Sequence, residues 1–173
     1  MQTIFGQTNR GGAVHKIALS HGALSVDILT IGAVLHSVRL KGVSHDLTVS
    51  QGSVADYQGD LRYHGALIAP VANRITGATA VIAGRIHHFG ANQDDLITLH
   101  SGDAGTHLKV WQIANAGPTH VALTLTLPGG EDGFPGLHKV IATYALHDDA
   151  TLRLDIHATS DTPTLFVAVN HSY

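Results

Sequence analysis

The sequence predicts an all-β fold, an antiparallel β-sandwich. Two observations carry this prediction. Most apolar segments either alternate apolar and polar residues or run apolar for about the length of a strand, and they recur at a spacing of roughly 8–12 residues. The turn-forming residues Gly, Pro and Asp stand between them. The chain has 173 residues, of which 44% are hydrophobic and 13% charged. These values are typical of one folded domain with a sizeable core.

Seven segments are predicted to be strands, because their Val, Ile, Leu and Thr residues alternate or run apolar between turn signals. In chain order they are VHKIAL (14–19), LSVDIL (24–29), VLHSVRL (34–40), VALTLTL (121–127), KVIATYAL (139–146), LRLDIHA (152–158) and TLFVAV (164–169). GSVADYQGDL (52–61) is the best candidate for a short helical turn. LPGGEDGFPGLH (127–138) is too long for a tight hairpin, and loops of this kind often lie at functional sites.

The charge pattern argues against several partners. The net charge is -3 and no basic run occurs, so neither nucleic acid nor a membrane surface is expected as a partner. The chain has no cysteine, which excludes disulfides and thiolate chemistry. It shows neither a signal peptide nor an apolar run of the ~20 residues that a membrane span needs. We therefore expect a soluble, cytoplasmic protein.

Four stretches, in this order, carry a family resemblance: GALIAPVANRI (65–75), LHSGDAGTHLKVW (99–111), GGEDGFPGLHKVIATYAL (129–146) and TPTLFVAVNHSY (162–173). Together they resemble the aldose 1-epimerase (galactose mutarotase) family, through its ANRI segment, LHGG turn, GFPG loop and NHSY motif. The resemblance covers most of the chain. It implies the galactose mutarotase (supersandwich) type of β-sandwich, with an open cleft that binds a sugar of the galactose or glucose type and no cofactor.

The resemblance also implies residue roles. The candidate catalytic residues are His171 of NHSY, the general acid of the family, and His100 of the LHGG turn, which lines the sugar site. The candidate substrate-binding residues are Asn73, Arg74 and Asn170. Ring opening needs a proton delivered to the ring oxygen while the anomeric hydroxyl loses one, and an imidazole with a pKa near 6.5 suits the first task. A guanidinium supplies fixed donors to sugar oxygens.

The sequence also departs from the family pattern. Family members are roughly twice as long, and the glutamate that serves as their general base comes from their second half. Residues 1–173 are therefore expected to form a truncated domain that corresponds to roughly the first half of a full-length member. Catalysis is expected to be weakened, and the open sheet edges are expected to be covered in a homodimer. Ser101 stands where the family's turn usually has Gly.

Other interpretations of the same residues stay open. His171 is also compatible with a solvated surface position, His100 with a turn that bonds to itself, and Arg74 with an ion pair to Asp94 or Asp95. Glu131 and Asp132 are the nearest candidates for a replacement acid/base pair, although acidic residues beside Gly usually serve the turn.

The histidine content invites a metal-site interpretation, since there are fourteen histidines against ten Lys and Arg. No two of those considered, His64, His87, His88, His100 and His171, show the HxxxH or HxH spacing of metal ligands, so no metal site is predicted. The alternatives to an epimerase are a non-catalytic carbohydrate-binding module, a repurposed hydrolase that depends on histidine or metal, and a gene fragment that folds without activity.

Overall fold

The computed structural model describes residues 1–173 and consists mainly of β-strands. The one α-helix is α1 (Val54–Gln58), and three single 3₁₀ turns span Gly102–Ala104, Thr106–Leu108 and Glu131–Gly133. The strands are β1 (Gln2–Gln7), β2 (Ala13–His21), β3 (Leu24–Leu29), β4 (Val34–Leu40), β5 (Leu67–Ile68), β6 (Arg74–Thr76), β7 (Thr79–Ile82), β8 (Arg85–His88), β9 (Ile97–Leu99), β10 (Gln112–Ala116), β11 (His120–Leu127), β12 (His138–His147), β13 (Thr151–Ser160) and β14 (Val169–Asn170).

Two antiparallel meanders form the main sheets, in the orders β1-β2-β3-β4 and β10-β11-β12-β13. Short connections set the register of each. The β2–β3 hairpin closes with His21 opposite Leu24, and Gly22 at a φ of 58° allows the two-residue turn. The longer 127–138 loop also closes a hairpin, because Leu127 pairs with His138 across it.

The core lies between the inner faces of these two sheets. One cluster of 14 buried residues joins Ile17, Val26 and Ile28 of the first sheet to Leu123 and Tyr144 of the second. Along β12 every second residue is buried, as expected for a strand with one face in a core. The prediction of an all-β antiparallel sandwich is confirmed. Trp111 belongs to the same core cluster.

Most of the predicted elements are present. The helical turn predicted in GSVADYQGDL is α1, and Ser53 begins it with a capping box in which Ser53 and Asp56 each bond the other's backbone N–H. The predicted strand at 164–169 is wrong. There, Val167 makes only an isolated bridge to Val71, and regular pairing is limited to the two residues of β14 against β5. Apolar residues alternate in this segment as predicted. However, the strand beside it, β5, has only two residues with which it can pair.

The helices of the structure are too short to cross a lipid bilayer.

Candidate functional site

Asn73 and His100 are held together by a reciprocal pair of hydrogen bonds. The backbone N–H of His100 donates to the Asn73 carbonyl at 2.9 Å, and the Asn73 N–H donates to Nδ1 of the His100 ring at 3.1 Å. Asn73, His100 and Ser101 all have positive φ, at 66°, 52° and 64°. Residues other than glycine seldom adopt this left-handed backbone conformation, and the reciprocal hydrogen bonds hold it here.

The short β5–β14 pairing brings the end of the chain to the same place. Asn170 lies opposite Leu67, and the next residue, His171, exchanges backbone hydrogen bonds with Gly65 and Ala66 at 3.0 and 2.9 Å. These bonds fix the His171 backbone beside the Tyr63 segment. The NHSY motif is therefore anchored to the sandwich by its backbone.

The rings of His100 and His171 meet as a result. Their centroids are 5.0 Å apart with perpendicular planes, and Tyr63 lies 4.7 Å from His100 and 6.0 Å from His171. Tyr173 lies 5.2 Å from His171 on another side. Both histidines are half-buried. The two candidate catalytic residues, 71 positions apart in sequence, form one aromatic cluster at the surface.

Arg74 extends from the same turn into solvent. Its Nε donates to Oε1 of Gln93 at 2.8 Å, and Nη1 is 3.4 Å from Oδ1 of Asn73. It makes no ion pair with Asp94 or Asp95, so that alternative interpretation is wrong. The guanidinium is held next to Asn73 by neutral partners and keeps its charge available for a ligand.

The His100 ring is kept neutral by its surroundings. Burial, with smaller contributions from the nearby His171 and Arg74, lowers its pKa to about 4. With Nδ1 accepting from the Asn73 N–H, the ring hydrogen is on Nε2. At neutral pH His100 is therefore suited to donate a hydrogen bond to a sugar oxygen, whereas it is poorly suited to act as an imidazolium acid.

Comparison with known proteins shows which family the chain belongs to. A model of the family described as "Aldose 1-epimerase" matches residues 15–173, which includes all of the candidate site residues. The chain belongs to the aldose 1-epimerase family.

Its relatives within the aldose 1-epimerase family share about a third of its residues. It is 32% identical to the galactose mutarotase of Mus musculus over 178 residues, which are 99% of this chain and 51% of that protein. It is 30% identical to a maltose epimerase of Levilactobacillus brevis, over 97% of this chain and 51% of that protein. The chain thus spans about half the length of the curated relatives it matches.

Solved epimerase structures superimpose on it closely. A galactose 1-epimerase from Lactobacillus acidophilus matches with a TM-score of 0.87 and 28% identity, covering 100% of this chain and 52% of that one. An aldose epimerase homologue from C. elegans gives a TM-score of 0.87 at 27% identity, over 93% of this chain and 50% of that one. The mutarotase type of fold expected from the resemblance is confirmed.

Asn170 has a different environment from the other candidate site residues of this epimerase-family chain. Its Nδ2 donates to the Gly65 carbonyl at 3.0 Å and lies 3.4 Å from the Tyr144 hydroxyl, while its Oδ1 accepts from the backbone and hydroxyl of Ser172 at 3.2 and 2.6 Å. The amide is thus fully engaged with its own chain. These bonds hold the turn that carries His171.

Ser101 uses the place of the family's usual Gly for a structural purpose. Its hydroxyl accepts from the Val71 N–H at 2.7 Å and donates to the Val71 carbonyl at 3.0 Å. Both backbone groups are buried and would otherwise lack a partner here. The substitution therefore stabilises the turn that carries His100.

The sequence did not indicate that His107 belongs to this region, although its ring packs against Tyr63 of the cluster. Its ring is 4.8 Å from that of Tyr63, only 2% of the residue is exposed, and its buried Nδ1 has no hydrogen-bond partner. A Cβ at Gly105 would overlap the ring, so glycine is required there. Burial, and secondarily the charges of His100 and Arg62, lower the His107 pKa to about 3. The pattern of the 99–111 stretch contains no signal for it, because its ring packs against Tyr63, which is distant in the sequence.

Glu131 and Asp132 are both engaged in structural contacts. Glu131 forms an ion pair with Lys109, and an Asp132 oxygen accepts from the Asp103 N–H at 3.1 Å. Glu131 and Lys109 line a polar surface cavity of about 630 Å³ that contains none of the candidate site residues. The two acidic residues thus stabilise the 127–138 loop, and neither hydrogen-bonds to His100 or His171.

No group of three or more His, Asp or Glu side chains is arranged to hold a metal ion.

Proposed function

We propose that this chain binds an aldohexose at the His100–His171 cluster and interconverts its α and β anomers by acid/base ring opening. The observation that supports this most directly is the meeting of the two histidine rings, from the LHSG turn and the NHSY motif, 5.0 Å apart at an open surface beside Arg74. Relatives named galactose mutarotase, maltose epimerase and aldose 1-epimerase support the sugar as substrate.

In the proposed reaction His171 delivers a proton to the ring oxygen as the bond between the anomeric carbon and that oxygen breaks. A base removes the proton of the anomeric hydroxyl, whose oxygen becomes the carbonyl of the open-chain sugar. Rotation about the first carbon–carbon bond and reclosure by the reverse steps yield the other anomer. Protons and electrons balance, since one proton leaves as another arrives.

The remaining residues orient the sugar. The Nε2–H of His100 donates to a sugar oxygen, and Arg74 with Asn73 contacts further hydroxyl groups. Asn170 remains a candidate sugar contact, although its engaged amide favours a role in holding His171 in place.

The source of the base decides how fast the proposed reaction is. Neither His100 nor His171 hydrogen-bonds to a carboxylate of the chain. A missing acid/base partner lowers rates by ~10²–10⁴. We therefore propose weakened mutarotation. The same observation favours the second candidate function, a carbohydrate-binding module without turnover.

Isothermal titration with galactose and with glucose, combined with polarimetry on the same samples, tests both candidates. Arg74→Ala should weaken sugar binding by about tenfold, as the loss of a charge-assisted hydrogen bond does. Arg85→Ala is the matched control, since Arg85 is an exposed arginine on β8. Binding with accelerated mutarotation supports the enzyme, and binding without acceleration supports the module. Absence of binding to either sugar contradicts both.

We also propose that the chain is a homodimer, because its sheets end in open edges and homodimers are the commonest assemblies. Its cytoplasmic location stays a prediction.

A further inference from the structure

The turn that carries His100 is held at both ends by side chains from other segments of the chain. Before His100, the Asn92 amide donates to the Leu99 carbonyl at 3.0 Å and accepts from the Leu99 N–H at 2.6 Å. After His100, the Asp103 N–H donates to Oδ2 of Asp132 at 3.1 Å. The 127–138 loop therefore reaches the His100 turn through one carboxylate.

The Asp132 carboxylate is enclosed by two glycines. A Cβ at Gly90 would overlap its Oδ1, and a Cβ at Gly102 would overlap its Oδ2. Gly102 follows Ser101 in the turn, and the two residues have positive φ, at 52° and 64°. Because neither glycine carries a side chain, the carboxylate can lie directly against the backbone of the turn.

Apolar packing fixes the loop that presents Asp132. Phe134, two residues further along the chain, is 2% exposed and packs on Phe89 with ring centroids 4.5 Å apart. Both rings belong to a buried cluster with Ala104, the residue that follows Asp103. The loop and the end of the turn are thus joined by apolar contacts as well as by the hydrogen bond.

The backbone conformation of Asp132 restricts which residues suit this position. Its φ is 49°, in the left-handed region that Asp, Asn and Gly adopt more readily than other residues. Of these three, Asp and Asn have a side-chain oxygen that can accept from the Asp103 N–H. The neighbouring Glu131 has a separate partner, since its carboxylate forms an ion pair with Lys109.

We propose that Asp132 is a positioning residue of the sugar site, which sets the orientation of the His100 ring by holding the backbone of its turn. The path is short. Asp132 binds Asp103, and three residues earlier Nδ1 of His100 accepts from the Asn73 N–H at 3.1 Å. Loss of the carboxylate frees one end of the turn, so this bond weakens and the Nε2–H of His100 is no longer held toward the sugar. The inference rests on the proposed function, and it gives Asp132 a role other than that of the missing base.

NMR of the histidine rings tests the orientation without any sugar. The His100 signals are identified by their loss in His100→Gln, and in the native chain they should show a single tautomer with its hydrogen on Nε2. Asp132→Gly removes the carboxylate, tolerates the positive φ, and should show a mixture of both tautomers. Asp132→Asn keeps an oxygen acceptor and should show the native tautomer, as should Glu131→Gln, the matched control in the same loop. A native spectrum in Asp132→Gly, or mixed tautomers in Glu131→Gln, would overturn the proposal.

Gly90→Ala displaces the same carboxylate without changing Asp132 or the turn, and serves also if Asp132→Gly does not fold. The new methyl carbon would lie 2.7 Å from Cγ of Asp132 besides overlapping Oδ1, so rotation of the carboxylate alone does not relieve the contact. Gly90→Ala should therefore show mixed His100 tautomers. Added to Asp132→Gly it should have no further effect, because the displaced group is absent. The native tautomer in Gly90→Ala would contradict the proposal.

Titration with galactose separates this inference from the proposed function. Asp132→Gly should weaken galactose binding about two- to tenfold, as the loss of one neutral hydrogen bond does, whereas Asp132→Asn and Glu131→Gln should bind like the native chain. Equal losses in Asp132→Asn and Asp132→Gly would overturn the positioning role, since the charge rather than the acceptor would then be required. If the native chain binds no sugar the proposed function fails, and the His100 tautomer in Asp132→Gly still decides whether Asp132 orients the ring.

Discussion

The buried His107 should lower the free energy of unfolding as the pH falls, and the substitution His107→Leu should remove this contribution. Its pKa is lowered from 6.5 to about 3, chiefly by burial. Between these values the unfolded chain binds a proton that the folded chain does not. The free energy of unfolding must therefore fall as the pH falls below about 6.5, and the fall ends only near the folded pKa.

The magnitude follows from the two pKa values. At pH 4 the unfolded histidine is almost fully protonated and the folded one is largely neutral. Relative to pH 7, His107 alone then lowers the free energy of unfolding by about 3 kcal/mol. In His107→Leu this contribution is absent, so the variant should lose about 3 kcal/mol less than the native protein between pH 7 and pH 4.

Urea denaturation at fixed protein concentration measures this difference. Trp111, the single tryptophan, is a suitable fluorescent reporter because it is buried and its Nε1 donates to the carbonyl of Thr106, next to His107. His147→Leu, which removes an exposed histidine at the end of β12, is the matched control and should follow the native pH dependence. Parallel curves for the native protein and His107→Leu would refute the reasoning.

Three further substitutions test the packing around the site and the fold. Tyr144→Phe removes the buried hydroxyl that donates to the Ala33 carbonyl at 2.8 Å, and should lower the free energy of unfolding by about 1–3 kcal/mol in urea titrations; no change would contradict a structural role for that bond. Gly105→Ala places a methyl group against the His107 ring and should cost about 1–3 kcal/mol, seen as a lower thermal midpoint; an unchanged midpoint would contradict the close approach. Ser53→Ala removes the capping box of α1 and should cost about 0.5–2 kcal/mol in the same assay; an unchanged midpoint would contradict a stabilising cap.

Local pattern was sufficient to predict the long strands in which one face is more buried than the other. β12 and β13 show this most clearly, since their period-two alternation in the sequence matches their alternating burial in the structure. The same pattern failed at 164–169. Alternation predicts an extended chain, but a strand also needs a neighbour of comparable length, and β5 has two residues.

Residues of the candidate site could be predicted only where they belong to a family motif. His100 and His171 were proposed from the resemblance, and the structure brings their rings together; their roles stay a prediction. His107 was not found, because a buried histidine outside a strand shows no periodicity, and its ring packs against Tyr63, 44 positions away in the sequence. The structural role of the Asn170 amide likewise required the positions of Gly65 and Tyr144.

The measurement that tests the central claim most directly is the rate of α-galactose mutarotation at pH 7, followed by polarimetry for the native chain, His171→Ala and His64→Ala. His64 is the matched control, since its ring lies 4.8 Å from Tyr173 and its Nδ1 bonds to the Leu61 carbonyl, outside the His100–His171 pair. The proposed function predicts acceleration by the native chain and by His64→Ala that disappears in His171→Ala. Acceleration that survives in His171→Ala, or its absence from the native chain, would contradict His171 as the acid of an active mutarotase.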